Sequence, residues 1–166
     1  LSALLQQPGL LPAEDAECTF SVGVVSAPGE GEQEHVKVTY FSAEECLRNI
    51  LAHTRYAKVF EEDAKERDVI LKEFTTDRAL EFARDSAEKH ASSDLQQEAE
   101  ELRDFIDAYK KFRDRLGKVH VDSILELPQF VRKEEGIGHL LLIKVVEIYR
   151  DNPVIKKQNF QIADTP

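Results

Sequence analysis

The spacing of apolar residues changes at about residue 41, from a period of two to a period between three and four. Segment 18–26 (CTFSVGVVS) is rich in β-branched and aromatic residues, and 35–41 (HVKVTYF) alternates Val36, Val38 and Tyr40 with Lys37 and Thr39. Pro28, Gly29 and Gly31 punctuate the residues between them. Alternation interrupted by turn residues predicts strand, loop, strand: an antiparallel β-hairpin with one wet face.

Helical signals follow at once. Ser42 and Glu45 form the Ser-x-x-Glu capping box, with Phe41 and Cys46 at the staple positions around it. Cys46, Ile50, His53, Ala57 and Phe60 then recur on one helical face, with Leu47 and Leu51 beside them, so the helix is expected to run to about Ala64 or bend onward to Phe74. Thr75, Thr76 and Asp77 restart a helix through Leu80, Ala83 and Ala87 to about His90. Ser93 and Gln96 suggest another capping box, opening the most regular segment. There Leu95, Leu102, Tyr109 and Leu116 repeat every seven residues, Phe105 and Phe112 fill the intermediate position, and Gly117 stands where a helix-ending glycine belongs. The pattern fits a bundle seam better than a free coiled coil.

Beyond 119–121, Pro128 and Gly136 bracket a short helix. Segment 138–150 reads two ways. Ile143, Val145, Val146 and Ile148 favour a strand, whereas Lys144, Glu147 and Arg150 trace a polar stripe on a helix; the stripe tips the reading to helix. The expected fold is mainly α: an N-terminal β-hairpin followed by a bundle of about four to five helices. The alternative is α+β with a second hairpin at the C-terminus. A single domain over 1–166 is expected, with an N-terminal arm at 1–16, the hairpin at 17–41, the bundle at 42–151 and a tail at 152–166.

Charge is distributed unevenly over these elements. Residues 61–104 hold fifteen acids against seven bases, whereas 105–166 hold nine against eleven, within a total net charge of −10. An acidic balance of this size opposes binding to nucleic acid and to anionic lipid surfaces. No apolar run is long enough for a membrane span. The chain opens Leu1-Ser2-Ala3 and contains no Met. The chain is therefore expected to be trimmed, processed or a cut-out fragment, which leaves the compartment unknown, with the cytoplasm as the default. Two cysteines, Cys18 and Cys46, are too few for a disulfide framework and are expected as packed thiols, with a Cys18–Cys46 pair as the alternative.

Candidate chemistry is thin. The loop 23–31 (GVVSAPGEG) lacks the Gly-Lys-Ser/Thr of a phosphate cradle and carries acids that would repel phosphate. Glu32 and His35 have a Glu-x-x-His spacing, but on a loop entering a strand, and no second copy exists. Cys46 and His53, seven residues apart, would stand about 10 Å apart along one helix, too far for a thiolate–imidazole pair. His139 completes the short set of catalytic candidates. The carboxylate runs Glu61, Glu62, Asp63, Glu66, Asp68 and Glu98, Glu100, Glu101 read as solvated helix faces. No cofactor and no metal are expected.

The remaining feature is a basic cluster: Lys110, Lys111, Arg113, Arg115 and Lys118, with Lys111, Arg115 and Lys118 on one helical face. Cations near a helix C-terminus are favoured by its dipole, and the cluster is also the candidate contact for a partner. The expected role is therefore a non-catalytic interaction or scaffold domain, docking through helix faces into a larger assembly with another protein or a second copy. A carrier enclosing an apolar ligand between Phe60, Phe74, Phe82, Phe105 and Phe112 is one alternative; an enzyme of unidentified type is the other.

Overall fold

The computed structural model describes residues 22–131, 138–153, 155 and 162–164. Among the described residues there are five strands, β1 (Val22–Ser26), β2 (His35–Tyr40), β3 (Val119–Ser123), β4 (Ile143–Tyr149) and β5 (Ile162–Asp164). The helices are α1 (Ala43–Ala52), α2 (Ala64–Lys72), α3 (Thr76–Lys89), α4 (Gln96–Lys111) and α5 (Leu127–Val131). The class is α+β. Two compact units emerge: one gathers the strands and α5 (Leu1–Tyr40, Lys118–Gly136, Ile143–Pro166), the other α1 to α4 (Phe41–Gly117, Ile137–Leu142). The expected N-terminal arm and most of the expected C-terminal tail lie outside the described residues.

In the first unit the strands form one mixed sheet in the order β3-β2-β4-β1-β5. Both strands of the expected hairpin are present, yet they do not pair. β4 lies between them, antiparallel to β2 and parallel to β1. A loop over 27–34 is long enough to cross two strand spacings of about 4.8 Å, so nothing forces β1 against β2. Within 138–150 the strand takes Ile143–Tyr149, after a 3-10 turn over Leu140–Leu142. Ile143, Val146 and Ile148 are buried, and Glu147, counted toward a helical stripe, faces Lys37 across the ladder. Most of the alternative second hairpin, returning through 154–162, lies outside the described residues; β5 pairs antiparallel with β1.

The second unit keeps the predicted helices with altered ends. The Ser42 capping box is present: Glu45 N–H donates to Ser42 Oγ and Ser42 N–H to Glu45 Oε2. α1 stops at Ala52, earlier than expected, because the His53 ring accepts the Arg55 N–H and starts a 3-10 turn over Thr54–Tyr56. The Ser93 box is absent. Ser93 Oγ accepts from Leu95 N–H and donates to the His90 carbonyl, while the Gln96 side chain bonds Glu100. α4 buries Leu102, Phe105 and Tyr109 with Ala99 and Ile106, but ends at Lys111. Past it the Gly117 N–H is drawn to the Phe41 carbonyl, with a φ of 71°. Gly138 sits so close to α4 that a Cβ there would fall on the Asp104 carbonyl and Phe105 amide.

Candidate functional site

The sheet has two unlike faces. On one, Val25, Val36, Val38, Tyr40, Val146 and Ile148 are buried. On the other, pairing sets His35, Lys37 and Thr39 of β2 beside Tyr149, Glu147 and Val145 of β4, and beside Ser123, Val121 and Val119 of β3. Side chains on this face are half-buried on β2 and β4 and exposed on β3. Period-two alternation dictates that arrangement: each strand places every second residue on the same side.

At the centre of the open face lies a short polar network. Lys37 Nζ meets Glu147 Oε2 at 2.7 Å, and Tyr149 Oη donates to Glu147 Oε1 at 3.0 Å. The His35 ring stacks on Tyr149, with centroids 4.4 Å apart and planes 12° from parallel. The Lys37 ammonium is raised above its ordinary value, chiefly by its hydrogen bond to Glu147. Burial pushes the Glu147 carboxyl up, but the bonds from Lys37 and Tyr149 outweigh it and leave the group below the usual range. Lys37 and Glu147 are therefore firmly charged and matched to each other, with no sign of a poised acid or base.

At the β3 edge the surface becomes apolar. Val119 is 52% exposed, Val121 62%, and Leu125, in the following 3-10 turn Ile124–Glu126, 82%. Among the described residues the only other large apolar side chain of this kind is Val69. Among the described residues β3 ends the sheet, so its outer backbone groups form an edge that can receive another strand.

Lys110, Lys111, Arg113 and Lys118 are exposed and Arg115 is half-buried, but the basic cluster does not form one helical face. Lys110 and Lys111 occupy the last turn of α4, whereas Arg113 and Arg115 lie in the following turn and Lys118 precedes β3 in the other unit. The shared face of Lys111, Arg115 and Lys118 is lost because the helix stops at Lys111. Lys111 Nζ and the Arg115 guanidinium both lie over the Phe112 ring, 5.0 Å and 5.1 Å from its centroid, and His139 is a further ring neighbour of Phe112.

The catalytic candidates do not converge within their own unit. Cys46 is a free, fully buried thiol whose Sγ–H reaches the Ala43 carbonyl, and burial pushes it up to about 12, the reverse of nucleophile activation. His53 caps a turn and His139 abuts a phenylalanine. Glu32 closes its own loop by accepting the Gly29 N–H. Among the described residues no three His, Cys, Asp or Glu side chains are grouped as metal ligands. Cys18 lies outside the described residues. Of the phenylalanines, Phe60 and Phe105 are fully buried, Phe82 packs 5.6 Å from Phe60, and Phe74 lies under the Arg48 guanidinium. A groove of about 290 Å³ between α2 and α3 is lined largely by charge, with Asp63, Glu66, Glu81 and Asp85 offset by Arg78 and Lys89.

Two features escaped sequence reasoning. Glu101, assigned to a solvated run, is gripped by Arg55. The segment 119–121 carries the exposed apolar edge, and its signal was Val-x-Val alternation between a turn glycine and a polar pair. No helix among the described residues is long and apolar enough to cross a membrane. The chain matches no protein-family model, and no curated protein shows significant similarity to it.

Proposed function

We propose that this chain is a non-catalytic protein-interaction domain that docks into a larger assembly, and that the β3 edge of the sheet is its main contact. The observation that carries this reading is the grouping of Val119, Val121 and Leu125, each more than half exposed, on and beside an edge strand. Edge strands of monomeric domains are usually blunted by inward charge, proline or a covering element. β3 (VHVDS) has no proline and no lysine, and Lys118 stands only at its threshold. An apolar strand edge offers backbone hydrogen bonds for affinity and alternate side chains for selectivity. The basic end of α4 is the weaker surface, since Lys111 and Arg115 already rest on Phe112.

The test is capture from native extract with three baits: the parent chain, Val119→Lys/Val121→Lys, and Lys111→Glu/Arg115→Glu. A stoichiometric partner that the β3 variant loses and the α4 variant keeps supports the reading, once circular dichroism has shown both variants folded. Retention by both variants removes β3 from consideration.

A further inference from the structure

We infer that the β3 edge takes as its partner the same edge of a second copy, in an antiparallel register centred on Val121. This rests on the docking reading above and names its occupant. Tyr40 N–H donates to the Lys118 carbonyl at 3.0 Å, and Val38 is paired with His120 and Val36 with Asp122. In an antiparallel ladder the bonded pairs alternate, so His120 and Asp122 spend their backbone groups on β2. Val119 and Val121 then direct their N–H and C=O outward, to the open side.

Two copies of an edge with this parity can meet about a two-fold axis in three registers that engage at least two of the outward residues Val119, Val121 and Ser123 of each copy. Setting Val119 opposite Val121 places His120 against His120. Setting Val121 opposite Ser123 places Asp122 against Asp122. Setting Val121 opposite Val121 places His120 against Asp122 twice, once on each side of the axis. Facing carboxylates repel and facing imidazoles offer each other no opposite charge, whereas an imidazole N–H beside a carboxylate is favourable, so side chains select the third register. An imidazole has an N–H donor in either protonation state, and a carboxylate accepts it. His120/Asp122 is moreover the non-bonded pair of that ladder, where facing side chains come closest. His120 already stands edge-on to Tyr40, 5.7 Å between centroids, at the margin of the buried face. On the opposite face, Val121 meets Val121 and Val119 lies beside Ser123. A five-residue edge buries less than the roughly 1,200 Å² of a stable interface, so the dimer is weak and concentration-dependent.

Sedimentation velocity on the full chain, from about 10 μM to about 1 mM, tests this. A dimer fraction rising with concentration is expected. Val121→Pro removes an outward N–H that no sheet bond uses, so the fold is kept while association weakens about tenfold or more. His120→Asp sets carboxylate against carboxylate and weakens association comparably, whereas the swap His120→Asp/Asp122→His restores it. A chain monomeric throughout, a dimer indifferent to Val121→Pro, or a swap that fails to rescue while remaining folded would each overturn self-pairing. Capture of a foreign partner that is sensitive to the β3 substitutions, by a chain that stays monomeric, overturns the inference alone and leaves the docking reading standing.

Discussion

Lys37 and Glu147 occupy directly paired positions on β2 and β4, and their charges meet at 2.7 Å on the open face of the sheet. Glu147 also accepts the Tyr149 hydroxyl, so one carboxylate joins three side chains of two strands. The pairing of these side chains favours the observed register of β2 and β4.

That pairing sets a pH dependence. Glu147 lies below its ordinary value, since the bonds from Lys37 and Tyr149 outweigh burial, and Lys37 lies above its own through its bond to Glu147. A depressed carboxyl stabilises the fold above its unfolded value, and that contribution is lost as pH falls through the folded value. A raised ammonium stabilises below its unfolded value, and the contribution is lost as pH rises through the folded one. The pair is therefore fully effective at neutral pH. Glu147→Gln should cost about 0.5–1 kcal/mol at pH 7 and almost nothing near about pH 3. Urea unfolding midpoints of parent and variant across that range check it; a constant difference would refute the pairing.

Arg55 grips Glu101 with two hydrogen bonds, Nε to Oε2 at 2.6 Å and Nη2 to Oε1 at 2.5 Å. Tyr56 Oη adds a third contact to the same carboxylate at 3.3 Å. The clamp ties the turn after α1 to α4, and Glu101 is nearly enclosed. Glu101→Ala leaves a guanidinium and a phenol without their acceptor and should cost about 2 kcal/mol. A double-mutant cycle with Arg55→Ala should give a coupling of about 1–3 kcal/mol. Coupling indistinguishable from zero would make this an ordinary surface pair.

Cys46 should be chemically silent in the folded protein. Its thiol is fully buried and pushed up to about 12, so little thiolate exists at neutral pH and no reagent reaches it. In a Cys18→Ser background, a disulfide reagent at about pH 8 should label Cys46 only as fast as the protein unfolds. Labelling at the rate of a free thiol would show that the helix start is open.

Gly138 is the least replaceable glycine described. An alanine methyl there would overlap the α4 backbone at Asp104 and Phe105, which cannot shift without moving the helix. Gly138→Ala should destabilise by about 2 kcal/mol or more, by overpacking. Gly31→Ala, with a φ of 81° but open space around it, should cost only about 1 kcal/mol. Equal losses in thermal unfolding would contradict the close approach at Gly138.

Local signals were legible because they depend on neighbours in the chain. The Ser42–Glu45 box, the strands at Val22–Ser26 and His35–Tyr40, and the helix Thr76–Lys89 are written in caps, alternation and apolar spacing within a few residues. The proposed interaction surface was legible only in part. The basic residues could be counted, but not the early end of α4 that takes Arg115 out of helical register with Lys111. Nor did His53 announce that its ring would stop α1.

Sequence alone settled the segments whose caps or alternation are complete within a few residues, such as the strands Val22–Ser26 and His35–Tyr40 and the helix Thr76–Lys89. Tertiary structure decided which strand lies beside which, and so turned an expected hairpin into two strands separated by β4. A β-branched segment such as 143–149 satisfies either a strand or a buried helix until a neighbour offers backbone groups and a partner for Glu147. Strand pairing is a non-local choice, made by burial and hydrogen bonding across a hundred residues of chain. That choice left Val119 and Val121 on an edge, facing outward.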